Sequence, residues 1–153
     1  MILLDVSFGI FAFLPQGWLF MAFVILIECL IMTKMLNQNW FDKRIYGITA
    51  LSNVISGATG IIISMILNGG WYLVVWFPWV SSNEINLSNS ESLKALIIFY
   101  VCAFILSIII ESLINWLFLR KRFRTNRILI TTIIANIVSY AIGSIVLYSY
   151  SFR

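Results

Sequence analysis

Four stretches of this chain, roughly 16–35, 45–67, 93–119 and 128–150, run for about 20 residues or more with almost no charge. A helix needs about 20 apolar residues to cross the hydrocarbon core of a bilayer. Each stretch is therefore read as a transmembrane helix rather than as the core helix of a soluble domain. Composition closes the alternative, because 61% of the 153 residues are hydrophobic and 10% are charged, whereas soluble domains are about 45–50% apolar and about 25% charged. The expected fold class is all-α: one polytopic membrane domain, residues 1–153, with four transmembrane helices.

The segments outside these helices are short. Residues 1–15 are apolar but contain Asp5 and no basic n-region, so they are expected to form an interfacial lead-in, set off by Pro15, rather than a cleaved signal peptide. The segment 68–92 holds WYLVVWFPWV, too short to span and rich in the aromatics that favour the membrane boundary, followed by a polar loop. The placement of basic residues orients the bundle. Lys34, Lys43 and Arg44 flank the first short loop, and Arg120, Lys121, Arg122, Arg124 and Arg127 lie in the third, leaving Lys94 and Arg153 for the opposite side. The positive-inside rule then puts both short loops in the cytoplasm and both termini outside it. The third loop can be a topology anchor touching headgroups or a site for anionic lipid. In a membrane protein the first explanation of the net +4 is topological, so no nucleic-acid partner is expected.

Several chemistries lose their parts. The chain has no histidine, and its two cysteines, Cys29 and Cys102, lie singly within apolar runs, where they read as packing residues. Zinc sites, disulfide scaffolds and cysteine or serine nucleophiles paired with histidine are not expected. No catalytic residue, metal or cofactor is assigned, and the protein is not expected to be an enzyme.

Laying the chain on itself at an offset of 83 residues superposes the polar positions of the first helical hairpin on those of the second without a gap. Glu28 falls on Glu111, Arg44 on Arg127, Thr49 on Thr132, Asn53 on Asn136, Ser56 on Ser139 and Gly60 on Gly143. Polar residues are scarce in such a chain, so their common register points to a duplicated hairpin: repeat one about 16–67, repeat two about 93–150. Two crossings per unit make the repeats parallel, related by an axis along the membrane normal.

Helix rise places Glu28, Asn53, Glu111 and Asn136 at similar depth, about 9–14 Å below the basic helix ends. Asn53, Ser56 and Gly60, like Asn136, Ser139 and Gly143, recur at i, i+3, i+7 and share a face. The expected intramembrane polar layer is therefore Glu28, Asn53, Ser56, Glu111, Asn136 and Ser139. Gly57, Gly60 and Gly143 are expected to let backbones approach closely. Each buried glutamate costs about 2.5–3.5 kcal/mol on insertion scales and needs partners. Asn53 and Asn136 can supply amide donors, and Arg44 and Arg127 are candidate charge partners if they reach down from the interface. Two readings stay open: an ion, proton or solute path, and interhelical glue that fixes the register of the hairpins.

From Leu14 and Pro15 through Glu28, Leu36, Tyr46 and the Asn53, Ser56, Gly60 set, the first half of the chain resembles the cyanobacterial filament integrity protein family (FraC-like). The resemblance implies a small multi-pass protein of the cytoplasmic membrane, concentrated at septa, that supports filament integrity and exchange between neighbouring cells. It implies no enzymatic activity and no cofactor. The expected partners are the lipid bilayer and other membrane proteins or further copies of the chain. The competing expectation is a small transporter or channel that uses the Glu/Asn layer.

Overall fold

The computed structural model describes residues 15–67 and 90–151. Four helices follow one another: α1 Pro15–Asn37, α2 Lys43–Leu67, α3 Ser90–Leu119 and α4 Thr125–Ser151. The expected lead-in and nearly all of the 68–92 segment lie outside the described residues. The last residues of that segment, from Ser90, open α3 instead of ending a loop.

The helix ends have local causes. Gln38 sits at a φ of 58° and closes α1 through its N–H to the Lys34 carbonyl at 3.1 Å, the left-handed cap that frees a chain to turn. Asp42 caps the start of α2, its Oδ1 accepting the N–H groups of Arg44 at 3.0 Å and Ile45 at 3.3 Å. Such a cap contributes about 1 kcal/mol. The N–H groups of Arg122 and Phe123 both return to the Leu119 carbonyl, which turns the chain sharply out of α3.

Each helix packs on two neighbours, α1 on α2, α2 on α3, α3 on α4 and α4 on α1, so the four form a closed up-down-up-down ring. Two stretches, Tyr100–Leu119 and Thr125–Ile145, are long and apolar enough to cross a membrane among the described residues.

The burial pattern is inverted relative to a soluble bundle. Among the described residues more polar and charged side chains than apolar ones are buried, Glu28, Glu111, Asn115 and Asn136 among them, while Leu19, Ile98, Ile109, Leu113 and Ile145 are more than half exposed. The apolar core sits near the end where α1 turns into α2 and α3 into α4. Leu36, Ile45, Leu119 and Ile128 are at most 3% exposed there and form one cluster with Met32 and Ala135. Leu36 and Leu119, like Ile45 and Ile128, are related by the 83-residue offset.

Candidate functional site

Eight residues, or about 12 Å of helix, separate Leu36 of this apolar plug from Glu28, and the same interval separates Ile45 from Asn53. At that depth the six polar residues of the expected layer come together. Asn53 Nδ2 donates to Glu28 Oε2 at 2.8 Å, and Asn136 Nδ2 donates to Glu111 Oε2 at 2.8 Å. The remaining carboxyl oxygens cross between repeats. Ser139 Oγ bonds Glu28 Oε1, and Ser56 Oγ bonds Glu111 Oε1 at 2.9 Å. Glu28 on α1 thus holds both of its ring neighbours, α2 and α4, and Glu111 on α3 holds the same two from the other side. One carboxyl bond serves each of the four helix interfaces.

Counting hydrogens shows how tightly the layer is specified. Each asparagine has two amide hydrogens, one given to its glutamate and one to the backbone carbonyl four residues earlier, Thr49 O or Thr132 O, at 3.1 Å. Each serine has a single hydrogen but faces two acceptors, a carboxyl oxygen and the carbonyl of Asn53 or Asn136. A hydrogen on the carboxyl resolves the shortage, since the acid donates to the serine oxygen and the serine donates to the carbonyl. The layer can therefore hold its glutamates neutral without a cation.

Arg44 and Arg127 do not meet the glutamates. The Arg44 side chain is exposed, and Arg127 donates to the Met35 carbonyl at 2.8 Å, tying the start of α4 to the end of α1. Nine residues separate each arginine from the asparagine of its own helix, about 13 Å, which exceeds the reach of the side chain. Gly60 also departs from expectation. A Cβ placed there meets nothing within 4 Å among the described residues, so no close approach between those residues depends on it. Gly143 is buried and Gly57 half-buried.

A second polar layer lies one turn nearer the plug. Asn115 Nδ2 donates to Thr132 Oγ1 at 3.2 Å, and Thr132 approaches Met32 Sδ at 3.7 Å. Asn115 falls on Met32 under the repeat, so a search for matched polar pairs passes over it. Thr33 Oγ1, Thr49 Oγ1, Asn115 Oδ1 and Asn136 Oδ1 are buried without a hydrogen-bond partner among the described residues. Between α3 and α4, the Tyr140 hydroxyl meets Ser107 Oγ at 2.9 Å and the Tyr100 hydroxyl donates to the Tyr140 carbonyl at 2.7 Å. Tyr140 occupies the register of Gly57, so the two repeats differ here in bulk.

The described residues hold no group of three or more His, Cys, Asp or Glu that could bind a metal ion. Paired carboxyls with amide and hydroxyl partners suit the storage of a hydrogen or the joining of helices. No protein-family model, curated protein or solved structure matches this chain.

Proposed function

We propose that the protein is a non-enzymatic integral membrane protein whose four helices all cross the cytoplasmic membrane, and that it serves as an assembly component at junctions between neighbouring cells. The observation that carries this reading is the closure of the polar layer. Each carboxyl oxygen of Glu28 and Glu111 is bonded within the bundle, both glutamates are 2% exposed, and the Leu36, Ile45, Leu119 and Ile128 plug lies between them and the basic end. Buried carboxyls whose oxygens are all bonded within the bundle act as glue. The apolar outer face is suited to lipid and to other membrane helices. Eight basic residues gathered at one end favour a cytoplasmic location for both tight turns and an extracytoplasmic one for both termini. The junction role rests on the family resemblance of the first half of the chain.

A small transporter or channel is the second reading, favoured by the four buried oxygens that have no partner among the described residues. Imaging of a tagged full-length chain in its host, combined with solute flux into vesicles carrying the purified protein, separates the two. Foci at cell–cell contacts without flux are the expected result. Uniform membrane labelling together with flux would sink the junction reading in favour of transport.

A further inference from the structure

The two tight turns are the same length and superpose under the 83-residue offset, yet their charges differ. Residues 37–44 read NQNWFDKR, with two basic residues and one acid, whereas 120–127 read RKRFRTNR, with five basic residues and no acid. Arg120, Lys121 and Arg122 stand where the first turn has Asn37, Gln38 and Asn39, and Arg124 stands in place of Phe41. Both turns lie at the same end of the bundle, so a requirement for orientation bears on both alike. The excess charge of the second turn needs another cause.

Its geometry supplies one. The second turn encloses an open concavity of about 800 Å³, lined by Arg120, Lys121, Arg122, Arg124 and Arg127. Two of these guanidinium groups are held in place: Arg122 pairs with Asp42 at 2.8 Å while its side chain stays 40% exposed, and Arg127 is fixed on the Met35 carbonyl. Arg120 lies over the Trp116 ring at 4.8 Å. Lys121 and Arg124 are exposed and make no side-chain hydrogen bond or ion pair among the described residues. The lining continues into the start of α4 through Thr125 and Asn126, where the first N–H groups of a helix have no partner within it. Fixed guanidinium forks beside free cations make a receptor for phosphate oxygens.

We infer that the α3–α4 turn is a phosphate-binding site, and that its ligand is the phosphate of an anionic lipid headgroup or of a soluble phosphate compound. The polytopic reading bears only on the choice between these two sources. Measured on purified protein in neutral detergent, the site stands or falls independently of the junction assignment.

The test titrates full-length protein with fluorescent phosphatidylglycerol, with phosphatidylcholine as the uncharged comparison and inorganic tripolyphosphate as soluble competitor. Saturable binding of phosphatidylglycerol over phosphatidylcholine is expected. It should weaken by about tenfold or more when Arg120→Asn, Lys121→Gln and Arg124→Gln are combined, because each basic residue near an anionic headgroup contributes severalfold. The triple variant keeps Arg122 and Arg127, and so the contacts that hold the turn. The single exposed change Lys121→Gln, expected to weaken binding by a smaller factor, guards against loss of folding. Tripolyphosphate that fails to displace the lipid assigns the site to a headgroup, and displacement at or below the lipid concentration assigns it to a soluble phosphate. Equal binding of the two lipids without any response to tripolyphosphate, or unchanged binding by both variants, would overturn the site.

Discussion

At the residue scale, the chemistry of Glu28 and Glu111 lies in what each carboxyl oxygen meets. One oxygen accepts from an asparagine amide, and the other lies against a serine hydroxyl with a second acceptor behind it. Glutamine fits both contacts, because its oxygen accepts from the asparagine and its NH₂ donates to the serine, which then serves the backbone carbonyl. Alanine leaves the asparagine hydrogen without its acceptor and opens a cavity, at a cost of about 2–5 kcal/mol. Glu28→Gln and Glu111→Gln are thus expected to stay within about 1 kcal/mol of the parent, and the alanine variants to fall well below it. Unfolding midpoints of detergent-solubilised protein decide the matter, and glutamine variants as damaged as alanine variants would mean that the carboxylate charge itself is required.

At the element scale, lipid-facing helices need small residues only where another backbone comes close. Among the described residues Gly60 is not such a place, since a Cβ there meets nothing within 4 Å. Glycine inside a helix is less favourable than alanine by about 0.8–1.0 kcal/mol, so Gly60→Ala is expected to leave the melting midpoint unchanged or to raise it. A fall of several degrees would reveal a close approach at that position. The i, i+3, i+7 spacing reads the face of α2 but not the distance to whatever that face meets, which is why the role of Gly60 was not legible. The depth of the glutamates and asparagines was legible, because helix rise from a basic end needs no knowledge of neighbours. Which serine meets which glutamate was not. The offset matches Ser56 with Ser139, but only the order of helices around the ring decides that each serine bonds the glutamate of the other repeat. Arg44 and Arg127 fall short of the layer for a simpler reason, since about 13 Å of helix separates each from the asparagine of its own helix, farther than the side chain reaches.

At the scale of the whole molecule, the two repeats are joined by the crossed serine bonds at mid-depth and, at the basic end, by the Arg127 bond to the Met35 carbonyl and by Asp42. Asp42 caps α2 through Oδ1, while its Oδ2 accepts from Arg122 at 2.8 Å and from Asn37 at 3.0 Å, so one carboxylate links the first turn to the second. Burial pushes this carboxyl up, but the N–H groups of Ile45 and Arg44 and the Arg122 guanidinium outweigh it and hold Asp42 below the usual carboxylate range. A folded-state value below the unfolded one means that the link stabilises fully above the unfolded pKa, about 3.9, and is lost as pH falls through the lowered folded value. Asp42→Asn keeps a good capping side chain but removes the charge that titrates. The variant is expected to melt below the parent at pH 7 and to approach it as the pH drops below about 4, where the parent loses the same ion pair. Melting midpoints of both proteins across pH 3–7 test this, and the absence of a gap at pH 7 would show that Asp42 acts through its cap, which asparagine keeps, rather than through its bond to Arg122.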